Sequence, residues 1–318
     1  FLLLAWIHLG MEALGGAINL FFAKKIFPIL SFSFRNVKKL HLQKLLRFSI
    51  YSFIAGISAR LFYYTDNLVI GAFLSSAYIT HYVVAWRLVE YMKSFVTGFA
   101  SVLLPVFSGL DALQKKEEIK NLFITSCKFS ALLSFSAGCL LIAWGREIFE
   151  LWLGVEYRNS YAYLLILTLP QMFILIFYPG GSMIYGMGRL RLFTFVNFIS
   201  ALTNIGLSIF LVRKIGLIGV ALGTAFPLTF FNLSIMPLYY LRLAEIRPFK
   251  FLYKILFPFL GLSLFYLGVL FLVKFFITFP SFLVLVISGA GFALLLSLIH
   301  ISEPTRPRLI SYAVFCLK

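Results

Sequence analysis

Four ionisable side chains, Arg60, Asp66, Arg87 and Glu90, stand inside two consecutive apolar stretches, each long enough to cross a bilayer. A charge in hydrocarbon costs at least ~2.5–3.5 kcal/mol on insertion scales, so such residues face a bundle interior or a wet cavity and mark a substrate or ion pathway. If the two stretches form a helical hairpin turning near Ser75, Arg60 and Glu90 lie at matching depths, roughly 22 Å from the turn at ~1.5 Å per residue. Asp66 and Arg87 form a second level-matched pair, and Arg87 and Glu90 are also i,i+3 neighbours on one helix face. Lining a central cavity, such a network could grip a phosphate, because a guanidinium offers two parallel donors. The alternative is a structural ion network that locks two helices together. Tyr63 and Tyr64 stand near Arg60, and His81, Tyr82 and Trp86 near Arg87. They could bond sugar hydroxyls or stack on sugar rings, although ordinary packing is the simpler account of any one of them.

Other candidates carry less. Lys93 lies one turn beyond Glu90 and either pairs with it or extends toward the cytoplasmic interface. His8 and Glu12 share a face of the first apolar stretch, where a proton or cation site and plain helix packing are both open readings. Cys127, Cys139 and Cys316 have no metal-ligand spacing. No HExxH, nucleotide-binding glycine loop or Ser/His/Asp set is present, so no cofactor and no enzymatic chemistry is expected.

The elements that must position these residues are membrane helices. The chain is 61% hydrophobic and 18% aromatic, with mean hydropathy +0.98; soluble domains run at roughly 45–50% apolar. The apolar runs last about twenty residues, which suits helices and not the ten-residue alternation of a membrane barrel. The reading is an all-α polytopic membrane protein with about nine spans, near 1–22, 46–73, 77–104, 123–144, 161–185, 192–212, 215–241, 255–273 and 281–295. Pro105 is expected to close the third span, and 111–121 to form a short amphipathic surface helix. Pro170 and Pro179-Gly180-Gly181 interrupt the fifth span. Gly216, Gly219 and Gly223 offer small-residue spacing for close helix contact.

A net charge of +17 does not point to nucleic acid, because the basic residues cluster in short loops between spans. With the loop after the first span cytoplasmic, that side holds most of the Lys and Arg, and the outside holds only Arg146, Arg158, Arg213, Lys214 and Lys274. The cytoplasmic membrane, crossed many times, is the expected location. Outer loops are short and carry no inserted domain. The segment 296–318 resembles the translated read-through of a transposon-type sequencing adapter and is set aside. With Phe1 standing in the middle of an apolar run, the chain is expected to be a fragment.

These stretches resemble the polysaccharide-exporter branch, including O-antigen (Wzx-type) flippases, of the multidrug/oligosaccharidyl-lipid/polysaccharide superfamily. The resemblance lies in Arg60-Leu-Phe-Tyr-Tyr-Thr-Asp66-Asn-Leu-Val-Ile-Gly71, Tyr82-Val-Val-Ala-Trp-Arg87, Leu104-Pro105-Val-Phe-Ser108, Gly186-Met-Gly-Arg189 and Ile215-Gly-Leu-Ile-Gly. It implies two six-helix lobes around a central cavity. Here 1–22 would be the last helix of a truncated first lobe, 23–45 a basic cytoplasmic inter-lobe segment, 46–241 the second lobe and 242–295 an extra helix pair. It implies alternating-access transfer of an undecaprenyl-pyrophosphate-linked oligosaccharide, with membrane lipids and a coupling cation as further partners. By the same resemblance Arg60 and Arg87 would hold the pyrophosphate, with Asp66 a structural acid. A cation-coupled drug antiporter of the same superfamily is the nearest rival, and a membrane-embedded polysaccharide polymerase or ligase the rival from another class.

Overall fold

In a computed structural model, residues 2–28 and 39–276 are described. Among them there is no strand; the chain is an all-α polytopic membrane protein. Two compact units divide between Ser49 and Ile50. The first holds α1 (Leu2–Ile26) and the opening turns of α2 (Lys39–Phe73). The second continues through α3 (Ser76–Ala112), α4 (Lys116–Leu153), α5 (Tyr161–Ile176) and α6 (Tyr178–Gly186). It ends with α7 (Leu190–Thr229), α8 (Met236–Leu243), α9 (Pro248–Phe251) and α10 (Phe257–Phe276).

Five stretches of the described residues are long and apolar enough to cross a membrane: Ser76–Ala112, Lys116–Leu153, Val155–Ile176, Leu190–Leu243 and Pro248–Phe276. The fourth holds two of the expected spans, because α7 leaves helical geometry at Ile215 and Gly216. α2 is less apolar, since Arg60, Asp66 and Asn67 interrupt its middle. The ninth expected span, 281–295, and the tail 296–318 lie outside the described residues, as does most of the basic stretch between α1 and α2.

Helix breaks fall elsewhere than the prolines suggested. Pro105 and Pro170 sit inside continuous helices, and α3 runs seven residues past Pro105 to Ala112. A membrane bundle tolerates the lost backbone bond because neighbouring groups satisfy it again. The fifth span instead breaks at Phe177, and Pro179 occupies the first turn of α6, where a missing N–H costs nothing. The expected surface helix at 111–121 is a tight turn, Leu113–Lys115, between two long helices. A clasp closes over it: the Lys116 ammonium bonds the Glu245 carboxylate at 2.6 Å and holds that carboxyl below its ordinary pKa.

Lipid tails supply little hydrophobic drive between helices, so close packing must hold the bundle. Trp144, Phe107, Phe123 and Phe149 fill the core. α10 is pinned to α4 by Lys274, which pairs with Glu147 at 2.7 Å, donates to the Ala143 carbonyl and lies over the Trp144 ring. Among the described glycines the closest approach to another stretch of backbone is within α7. Gly216, at φ 62, turns the chain back on itself. Gly223 then lies so close to the first half that a Cβ there would meet Ser208 N at 2.7 Å and Ser208 Oγ at 2.6 Å. Gly219 makes the same approach to Leu211, so of the three glycines two carry the contact and one the turn. Gly223→Val should therefore wedge the two halves apart, with an overpacking cost of about 1–3 kcal/mol. The check is a lowered thermal midpoint of the detergent-solubilised protein; an unchanged midpoint would show that the two halves do not pack this way.

Candidate functional site

The hairpin of α7 places three polar residues against one carboxylate. Asp66, on α2, is 2% exposed. It accepts from the Tyr82 hydroxyl of α3 at 2.6 Å, Thr224 Oγ1 at 2.6 Å, Ser208 Oγ at 3.2 Å and Asn204 Nδ2 at 3.5 Å. Asn204 Nδ2 also reaches Thr224 Oγ1 at 3.0 Å, and its buried Oδ1 has no partner among the described residues. The site thus gathers one carboxylate and neutral oxygens from three helices. Among the described residues no Lys, Arg or His pairs with Asp66.

That overturns the expected Asp66–Arg87 pair. Tyr82 and Arg87 are five positions apart, or about 140° around a helix of 3.6 residues per turn. With Tyr82 turned to Asp66, Arg87 must face away. Arg87 instead bonds Glu90 Oε2 at 2.7 Å, and their side chains are 51% and 44% exposed. The expected Arg60–Glu90 pair is absent for a related reason: Glu90 is taken by a partner already fixed one turn away on its own helix. Arg60 is exposed and forms no ion pair among the described residues. Tyr64 is 67% exposed, while the side chain of Tyr63 lies outside the described residues. His81 does not join the charges; it bonds Ser160 Oγ at 3.0 Å and lies against Tyr157.

A cavity of about 470 Å³ opens within the second unit between α2, α3, α5, α6 and α7. Arg60, Tyr64, Asp66, Arg87 and Glu90 are not among the described residues that line it, whereas Lys93 is. Asn204, Ser208 and Thr224 were not singled out in the sequence. Their one sequence signal is spacing: Asn204 and Ser208 are i,i+4 neighbours in an otherwise apolar span, hence on one face.

With this geometry in view, comparison with known proteins decides the family. A family model described as polysaccharide biosynthesis protein matches residues 2–162, half of the chain. The chain belongs to that family. It is 25% identical over 193 residues to the "probable low-salt glycan biosynthesis flippase Agl15" of Haloferax volcanii, covering 61% of this chain and 40% of that protein. It is 24% identical over 208 residues to the uncharacterized membrane protein MJ1068 of Methanocaldococcus jannaschii, covering 64% and 40%. The chain therefore spans two fifths of the length of these curated relatives. Among solved structures, the lipid II flippase MurJ in an inward closed conformation superposes with TM-score 0.62 at 21% identity, over 92% of this chain and 61% of that one. That likeness establishes the fold.

The two polar clusters of this family member should differ in energetic weight. Tyr82→Phe removes a charge-assisted hydrogen bond to a buried carboxylate and should cost about 1.5–3 kcal/mol. A double-mutant cycle of Arg87→Gln with Glu90→Gln should return under ~1 kcal/mol, as exposed pairs do. Thermal unfolding of the solubilised variants checks both; a larger coupling for the exposed pair would reverse the assignment.

Proposed function

We propose that the chain is part of a flippase carrying undecaprenyl-pyrophosphate-linked oligosaccharide, an O-antigen or other polysaccharide repeat unit, across the cytoplasmic membrane by alternating access. The observation that carries this reading is the half-exposed Arg87–Glu90 pair in the first half of α3, a helix long and apolar enough to cross a membrane. Charges at that depth need water or a charged ligand beside them. A guanidinium already held in place by Glu90 can offer its remaining N–H groups to a pyrophosphate. Arg60, exposed on α2, is the second proposed contact, with Tyr63 and Tyr64 beside it. The relatives' names and the family support a glycan-related cargo. In this reading residues 46–241 form the second lobe, 23–45 the inter-lobe segment, 1–22 the last helix of a first lobe and 242–295 an extra helix pair.

The Asp66 cluster is assigned to the coupling cation rather than to the cargo. A hard alkali cation takes oxygen ligands, and Asp66, Ser208, Thr224 and the unpartnered Asn204 Oδ1 supply them. A half-turn of the Asn204 amide exchanges its Nδ2 for Oδ1 at the carboxylate, which is favourable only with a positive charge between them. Flipping is read by leaflet accessibility of a fluorescent lipid-linked sugar in vesicles holding the full-length protein. Arg87→Ala should abolish transfer and Arg87→Lys retain part of it; wild-type rates in Arg87→Ala would reject the reading. In the same vesicles Asp66→Asn should remove the response to an imposed sodium gradient, measured against the response to a proton gradient. An unaltered response to both would remove Asp66 from coupling.

A further inference from the structure

A second cavity, a groove of about 780 Å³, lies within the same unit on the opposite face of the first half of α7. Helical spacing separates the two. Phe193, Asn197 and Ser200 stand at i, i+4 and i+7 and line the first cavity. Arg191, Phe195 and Phe198 repeat that spacing two positions earlier, about 200° around the helix, and line the second. The far wall of the groove is Tyr51 and Ile54 of α2, one turn apart, and Tyr239 of α8 borders it. Thr194 Oγ1 donates to the Tyr51 carbonyl at 3.0 Å and holds α2 against α7 where the walls meet.

The groove is polarised along its length. Phe195 and Phe198 are 62% and 37% exposed, on a stretch long and apolar enough to cross a membrane. Arg191 stands roughly 10 Å along the helix from Phe198. It is the one Lys, Arg, Asp or Glu among the described residues on the wall. It is exposed and forms no ion pair among the described residues. The Tyr239 hydroxyl donates to the Arg189 carbonyl at 3.3 Å, so a second arginine stands at the same end. The distribution of Lys and Arg assigns that end to the cytoplasmic surface. An exposed apolar trough marks contact with protein or lipid, and a guanidinium at its water-facing end pairs best with a carboxylate or phosphate. An anionic phospholipid supplies the phosphate and the apolar chain in one molecule. A zwitterionic lipid would bring its own ammonium beside the two arginines and set like charges together.

We propose that this groove binds one anionic phospholipid of the cytoplasmic leaflet, with its phosphate on Arg191 and an acyl chain along Phe195 and Phe198. Neither Arg87 nor Asp66 lines the groove, so the site stands apart from the transport reading. Photolabelling of the full-length protein in phosphatidylcholine vesicles tests it. The probes are traces of phosphatidylglycerol or phosphatidylcholine carrying the same diazirine-bearing acyl chain. Mapping should place the phosphatidylglycerol label on residues 51–54 and 192–198. A basic residue favours a nearby anionic lipid by roughly fivefold, so labelled phosphatidylcholine should mark these residues about that much less. Arg191→Gln should bring the two lipids level, and Arg191→Lys should keep the preference. Should the Arg191 variants not fold, Ile54→Trp, which narrows the groove and leaves its charge alone, should lower labelling by both lipids alike. Excess glycerol 3-phosphate on both sides of the membrane should not displace the label; displacement would make the ligand a free phosphate and overturn the lipid assignment. Equal labelling by the two lipids, or a preference that survives Arg191→Gln, overturns the headgroup contact and the proposal with it. Absence of label from 192–198 would show that protein, not lipid, covers the groove.

Discussion

One buried carboxylate ties the second unit together. Asp66 is removed from water, and the effective penalty for burying an ion is several kcal/mol even after relaxation. Hydrogen bonds to a charged group return about 1.5–3 kcal/mol each. Two short bonds, from Tyr82 and Thr224, and two longer ones, from Ser208 and Asn204, offset that penalty. The four donors come from α3 and from both halves of α7. The cluster therefore sets the separation of α2, α3 and both halves of α7. The glycine turn at Gly216 and the close approach at Gly223 are what allow Ser208 and Thr224 to reach the same carboxylate.

How much of this was legible in the sequence differs from residue to residue. The anomaly of Asp66, Arg87 and Glu90 in apolar spans is a matter of composition and needs no geometry. The i,i+3 pairing of Arg87 with Glu90 follows from helical spacing alone. The wrong pairs arose because depth was matched and rotation was not. Residues at one level on two helices meet only if both also face the shared seam, and five positions turn a side chain about 140°. Asn204, Ser208 and Thr224 were beyond reach for another reason. Short polar residues are tolerated widely in membrane helices, where they bond their own backbone, as Thr203 and Thr229 do here. Nothing local separates such a residue from one that reaches across to a carboxylate more than a hundred positions away.

The same limit applies to helix breaks. Proline marks a missing donor, not a bend, and the surrounding helices decide whether the gap matters. Pro105 and Pro170 are absorbed, whereas Pro179 starts a helix and Gly216 turns one. Ser182 donates to the Ala100 carbonyl one turn before Pro105, an example of a neighbouring helix supplying a hydrogen bond near such a gap.

The arrangement of α3 bears directly on how an ion and a cargo could be linked. Coupling requires that both ligands bias one element with two arrangements. α3 carries Tyr82 toward Asp66 and Arg87 toward the opposite, exposed side. A cation at Asp66 would compete with the Tyr82 hydroxyl for the same carboxylate oxygen and so weaken the shorter of the two hydrogen bonds that Tyr82 makes to the cluster, leaving its 3.2 Å contact with Thr224 Oγ1. The helix would then be freer to rotate or slide, and Arg87 would move with it, because the two residues belong to one rigid helical segment. By reciprocity, a cargo that holds Arg87 in a shifted position would loosen Tyr82 from Asp66 and favour cation entry by the same factor. In the proposed reading the linkage would run through the Tyr82 hydroxyl, and the Arg87–Glu90 pair would supply no restraint of its own, since both partners stand on the same helix.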